Sequence, residues 1–111
     1  MQASGLRERL HHVEEAARRR EIERLLDRFD ADVLPRLRGL RAQVIHNDVS
    51  AKNTLVDGER VTGSIDFGDL IHAPLVCDLA VPVSELTLGT ADPIAAAAEI
   101  VAGYHAVTAL S

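Results

Sequence analysis

The stretch His46-Asn-Asp-Val-Ser-Ala-Lys-Asn53, together with Ile65-Asp-Phe-Gly-Asp69, decides how this chain is read. Each segment follows a short apolar step, Val44-Ile45 before the first and Arg60-Val-Thr-Gly-Ser-Ile65 leading into the second. If those steps are strands, the polar side chains project from rigid edges. Asp48, Asn53 and Asp66 then supply short oxygen donors at adjacent strand ends. Such donors suit Mg²⁺, which commonly takes one or two carboxylates and leaves its other positions to water and phosphate. A further carboxylate not consumed by the metal can accept a proton from an attacking hydroxyl. Taken singly, each residue has a plainer reading. Asp48 and Asn53 fit ordinary turns, because Asp and Asn bond their own backbone. A lone His46 beside a strand fits a satisfied loop residue, and Asp66-Phe-Gly-Asp69 fits a turn.

Working outward, Thr54-Leu-Val-Asp57 and Arg60 to Ile65 flank Asp57-Gly58, a tight-turn signal that predicts a hairpin. Val44-Ile45 has no clear strand partner, and Asp66 to Ala73 reads as a polar loop. Toward the N-terminus, Leu6, Leu10, Val13 and Ala17 recur at helical spacing. Ile22, Leu25, Leu26, Phe29 and Val33 form a second stripe. Glu14-Arg18 and Glu15-Arg19 stand at the supportive i, i+4 spacing, and Pro35 marks a break or the start of a short turn ending near Gly39. The Arg18-Arg19-Arg20 run, set among acidic residues, reads as a solvated helix face. Toward the C-terminus, Leu75, Val76, Leu79, Val83 and Leu86 fit one helix face, kinked at Pro82 and ended by Gly89-Thr90. Asp92-Pro93 starts a last helix that runs toward Val107, with an N-cap acid followed by Pro. One domain is therefore expected over 1–111: a helical segment 1–43, two polar loops on a small sheet over 44–73, and two helices over 74–111.

The composition is that of a soluble globular chain: 111 residues, 47% hydrophobic and 26% charged. Phe29, Phe67 and Tyr104 are the only aromatic residues, so aliphatic side chains must fill the core. The net charge of -5 argues against nucleic acid and against an anionic membrane surface as partners. No signal segment opens the sequence and no apolar run approaches transmembrane length, so the cytoplasm is the expected compartment. Cys77, the single cysteine, lies in the apolar run Pro74-Leu-Val-Cys-Asp-Leu-Ala80 and reads as a buried small hydrophobe.

The spacing of His46, Asp48 and Asn53, followed by Ile65-Asp66-Phe67-Gly68-Asp69, resembles the catalytic and metal loops of protein kinases. The surrounding text is closer to the aminoglycoside phosphotransferase, choline kinase and hydroxylysine kinase-like group. There the loop reads His-Gly-Asp-x-x-x-x-Asn, followed by a short hairpin and Ile-Asp-Phe-Gly-Asp. Val61 to Asp69 and Pro74 to Ala80 both resemble that group, and the likeness runs from the second helical stripe to the end of the chain. The resemblance implies an α+β fold like the C-terminal lobe of a protein kinase, with N-terminal helices, a small sheet carrying two catalytic loops, and two C-terminal helices. It implies Mg²⁺-dependent transfer of the γ-phosphate of ATP to a small hydroxyl-bearing acceptor. It assigns Asp48 as the base, His46 as the brace of the catalytic loop, and Asn53 and Asp66 as the Mg²⁺ and nucleotide ligands. Asp78 would be a buried acid bonding the loop backbone, and Asp69 either assists the metal or caps its loop. Lys52 stands where tyrosine-type protein kinases carry an Arg near the transferred phosphate, and is expected to neutralise charge there. His72 has no assigned contact, and His11, His12 and His105 have no role.

Departures from the pattern shape the remaining expectations. Asn47 replaces the usual Gly, a mild change because Asn tolerates unusual backbone angles. Ser50-Ala51-Lys52 replaces the common His-Pro-Gly. No glycine-rich loop or Val-Ala-x-Lys pattern precedes His46, and the group usually continues with helices beyond Leu110. The sequence thus resembles a catalytic-lobe piece, a truncated product or a remnant. An amine-bearing alcohol suits the anionic balance. One alternative is an inactive remnant serving as a binding or assembly module, as a homodimer or with a complementing chain, through exposed apolar surface. Another is a metal-dependent phosphoester hydrolase using His46, Asp48, Asp66 and Asp69.

Overall fold

The computed structural model describes residues 4–110, which divide into two compact units at the Gly39–Leu40 junction, 4–39 and 40–110. The first is helical: α1 (Ser4–Arg7), a 3-10 turn (Leu10–His12), α2 (Ala16–Arg28), a π-helical turn (Phe29–Val33) and α3 (Leu34–Leu37). The Leu6-to-Ala17 stripe is therefore not one helix. Val13 and Glu15 are extended, and the Arg19 guanidinium donates to the Val13 carbonyl at 3.1 and 2.6 Å. In a continuous helix that carbonyl would have accepted from the amide of Ala17. Glu14 and Glu15 consequently precede α2, so the expected Glu14-Arg18 and Glu15-Arg19 pairs do not form. Arg7 instead reaches Asp27 and Asp30, both at 2.9 Å. Pro35 stands in the first turn of α3, directly after the wide turn. A proline has no N–H for the carbonyl four residues back and its ring crowds that oxygen, so the helix widens rather than running through.

The second unit is α+β, with two small antiparallel sheets and two helices. β1 (Ala42–Ile45) pairs with β4 (Ile71–Pro74), placing Ile45 opposite Ile71 and Ala42 opposite Pro74. The segment expected to be an unbroken loop from Asp66 to Ala73 thus contains a strand, and β1 has a partner. Pro74 ends that strand, where its missing N–H interrupts no further ladder. β2 (Thr54–Asp57) and β3 (Arg60–Ser64) form the expected hairpin, with Asp57 opposite Arg60. Gly58 turns the chain at φ 59°, a backbone sign that glycine adopts without a Cβ penalty. A bulge beside Leu55 and Val56 lets the Thr62 hydroxyl donate to the Leu55 carbonyl at 3.3 Å.

After β4 a 3-10 stretch (Leu75–Leu79) buries Leu75, Cys77 and Leu79. With Ile45 these form the buried apolar core among the described residues, and Leu75 is 1% exposed. The helix expected from Pro74 begins only at Ala80, as α4 (Ala80–Thr87). Pro82 therefore sits in its first turn rather than inside it, where the absent N–H costs nothing and no kink is needed. Gly89 ends that segment at φ 78°. α5 (Pro93–Val107) starts as expected: the Asp92 carboxylate accepts from the Ala95 amide at 3.0 Å and Pro93 opens the helix. α4 and α5 pack against each other. The hairpin leaves Val56 and Val61 64% and 65% exposed. No helix among the described residues is long and apolar enough to cross a membrane.

Candidate functional site

β1 ends at Ile45, and the next three residues are held by a chain of bonds. His46 lies between a backbone carbonyl and a backbone amide. Its Nε2 faces the Ile65 carbonyl at 3.0 Å, so that nitrogen carries the proton, and Nδ1 accepts from the Asp48 amide at 3.4 Å. The imidazole also packs against Phe67, with ring centroids 4.9 Å apart. Asn47 adopts φ 67°, a left-handed conformation that Asn tolerates better than most residues with a Cβ. Its N–H is thereby aimed at Asp78, whose Oδ1 accepts at 2.9 Å. Asp78 is half-buried rather than buried and lies on the 3-10 stretch. Its Oδ2 accepts from the Tyr104 hydroxyl of α5 at 3.4 Å. Burial, then the Asp78 charge, then this bond push the Tyr104 phenol above its ordinary range, against a lowering influence of Arg41.

Asn53 is 9% exposed, and its amide orientation is set by Asp48. Nδ2 donates to the Asp48 carbonyl at 3.0 Å and to Asp48 Oδ2 at 2.8 Å. Asn53 Oδ1 and Asp48 Oδ1 accept no bond from the described residues. The Asn53 carbonyl accepts from the Ile65 amide at 2.9 Å and the Ser64 hydroxyl at 3.3 Å, which ties the two loops across the hairpin base. Asp66 adopts a left-handed conformation (φ 63°, ψ 67°) at the head of the Phe67–Asp69 turn. A Cβ on Gly68 would stand 3.4 Å from Asp66 Oδ1, an ordinary contact. Asp48, Lys52, Asn53 and Asp66 line one open groove of about 500 Å³, whose far wall is α4 with Val81, Ser84, Glu85 and Leu88.

A profile of the phosphotransferase enzyme family matches residues 2–110. The chain belongs to that family. It is 27% identical to a hydroxylysine kinase of Xenopus laevis over 97% of this chain and 32% of the relative. A hydroxylysine kinase of Mus musculus is 30% identical over 86% of this chain and 28% of its own length. A homoserine kinase of Methylobacillus flagellatus is 36% identical over 75% of this chain and 25% of its own length. The chain thus spans about a third or less of the curated relatives it matches. No solved structure matches it.

Within this phosphotransferase family member, the residues singled out in the sequence converge unevenly. Asp48, Lys52, Asn53 and Asp66 share the groove, while His46 is not among its lining residues and has both ring nitrogens engaged. Asp69 is exposed in the turn after Asp66 and does not line the groove; His72 is exposed on β4 opposite Val44. Among the described residues no three His, Cys, Asp or Glu side chains gather closely enough to hold a metal ion. The four-residue set expected for a phosphoester hydrolase is therefore not assembled. Two residues were not anticipated. Glu85 Oε2 accepts from the Ala51 amide at 3.0 Å, and Tyr104 secures Asp78. Neither carries a local sequence signal, since their partners lie 34 and 26 residues away.

Proposed function

We propose that this chain carries the catalytic loops of a small-molecule kinase, transferring the γ-phosphate of ATP to the hydroxyl of an amine-bearing alcohol. The observation that carries the reading is the shared orientation of Asp48 and Asn53. One Asp48 oxygen is anchored by Asn53 Nδ2, which leaves Oδ1 to accept the proton of an acceptor hydroxyl. The same contact turns Asn53 Oδ1 outward as an oxygen ligand, and Asp66 supplies a carboxylate in the same groove. Two such oxygens fit Mg²⁺, which retains water and phosphate for its other positions. When bound, the ion offsets charge on the phosphates. Lys52, at the same groove, adds a cation for the transferred group. His46 acts as a brace, because its Nε2–H and Nδ1 are both occupied by backbone. The family match supports reading the fold as a protein-kinase-like C-terminal lobe. Relatives named for hydroxylysine and homoserine support an acceptor with both an amine and a side-chain hydroxyl.

Calorimetric titration with Mg²⁺-ATP tests the reading. Binding by the wild type that is lost in Asp66→Ala supports it; equal binding by both refutes the assignment of the metal loop. The exposed Val56 and Val61 favour a second reading, association with another chain through the hairpin face. A monomer by size-exclusion chromatography across a wide concentration range would remove self-association.

A further inference from the structure

Asn47, between His46 and Asp48, stands at φ 67°. A residue with a Cβ meets steric resistance there that glycine does not meet at all. The Asn47 carboxamide makes no bond with the described residues, so its own N–H, donated to Asp78 Oδ1 at 2.9 Å, is what holds the turn. A carboxylate with one partner is free to rotate about its last bond. The Tyr104 hydroxyl, on the other oxygen at 3.4 Å, fixes that rotation. Tyr104 in turn stands on a helix whose end is pinned. Arg41 Nη2 donates to the Ala109 carbonyl at 2.7 Å, and the Arg41 carbonyl accepts from the Leu75 amide at 2.9 Å. Arg41 directly precedes β1, and Asn47 follows it by one residue. The strand that delivers Asp48 is thus tied near its start to the C-terminal end of α5, and just beyond its end to Tyr104 through Asp78. The consequence reaches Asn53. Its Nδ2 donates to the Asp48 carbonyl at 3.0 Å and to Asp48 Oδ2 at 2.8 Å. A backbone rotation at Asn47 would displace both acceptors and release the amide orientation that keeps Asn53 Oδ1 outward.

We propose that Tyr104 is a positioning residue for the groove: acting through Asp78, it keeps Asn47 left-handed and thereby sets the Asn53 oxygen offered to a metal ion. This rests on the phosphotransfer reading only for what the groove binds. The orientation itself follows from the bond chain from α5 to Asn53. Tyr104 touches none of the reacting groups, and its influence depends on the side chain at 47. With glycine there the turn holds by itself, and the Tyr104 hydroxyl has nothing left to secure.

The test compares the full chain, ¹⁵N-labelled, with Tyr104→Phe, Asn47→Gly and the double variant. Phe keeps the ring and its packing and removes the hydroxyl alone. Two readouts are taken: the Asn53 side-chain NH₂ signals without ligand, and affinity for Mg²⁺-ATP by calorimetry. Tyr104→Phe should shift the Asn53 signals, speed hydrogen exchange at the Asn47 amide, and weaken Mg²⁺-ATP about threefold, as suits one long hydrogen bond. In the Asn47→Gly background the same substitution should move the Asn53 signals and the affinity far less. That non-additivity separates positioning from general support, which would be lost equally in both backgrounds. Unmoved Asn53 signals in Tyr104→Phe, or an equal effect in both backgrounds, would overturn the proposal. The two readings fail separately. No Mg²⁺-ATP binding by the folded wild type would sink phosphotransfer, while the ligand-free Asn53 signals would still decide on Tyr104. Wild-type binding lost in Asp66→Ala, with Asn53 signals unmoved by Tyr104→Phe, would reject Tyr104 and leave phosphotransfer standing.

Discussion

Replacing Asp78 with Asn probes the bond chain that connects α5 to the left-handed Asn47. Asp78 accepts from the Asn47 amide at 2.9 Å and from the Tyr104 hydroxyl at 3.4 Å, and an Asn side chain can offer an oxygen to only one of them. The shorter, better placed bond to Asn47 is the one worth keeping. Exchanging a charged acceptor for a neutral one at a half-buried site costs about 1 kcal/mol, roughly half the value of a charge-assisted bond. Tyr104 supplies the readout, since the chain has one tyrosine and no tryptophan and the tyrosinate absorbance therefore reports this residue alone. In the wild type, burial is the largest cause raising Tyr104 above the ordinary 10.0, followed by the Asp78 charge and bond. A phenol held neutral more firmly in the folded chain than in the unfolded one stabilises the fold below pH 10.0. That contribution is lost as pH rises through the folded value. Asp78→Asn removes the charge and leaves the burial, so the titration midpoint should fall but stay above the ordinary value. The assay is a spectrophotometric pH titration of both proteins, with urea unfolding at neutral pH for the stability difference. A wild-type midpoint at the ordinary tyrosine value, or one unmoved by Asp78→Asn, would refute the linkage.

Other expectations follow from single observations. Asn47→Gly should leave stability within about 0.5 kcal/mol, whereas Asn47→Val should cost about 1–2 kcal/mol because φ 67° is forced on a β-branched side chain, as urea unfolding would measure. Leu75→Ala should cost about 2–4 kcal/mol, since a side chain left 1% exposed leaves a cavity that the surrounding core only partly fills. Burial raises the Cys77 thiol above its ordinary value, so a thiol reagent should react slowly with the native protein at neutral pH and promptly in denaturant. Rapid modification of the folded chain would show that Cys77 is not enclosed.

Features whose physics is local can be read directly from neighbouring residues. Asp57-Gly58 specifies a hairpin because glycine supplies the positive φ there, and Asp92-Pro93 starts α5 because a carboxylate caps a free amide while proline needs none. That Asp48, Asn53 and Asp66 stand together was likewise legible, as was the buried Cys77 within an apolar run. Local pattern misled where a distant or irregular contact competes with it. Leu6 to Ala17 has helical spacing, yet Arg19 takes the Val13 carbonyl and the helix breaks. Ile71 to Pro74 is too short to announce a strand and ends in a proline, and only its pairing with β1 makes it one. The protonated nitrogen of His46, the outward oxygen of Asn53 and the presence of Glu85 at the groove were decided by tertiary structure alone. Each depends on which donor or carbonyl faces the side chain. Folding sets that by bringing together groups such as Asn47 and Asp78, 31 residues apart, whose attraction leaves no trace in the residues next to either.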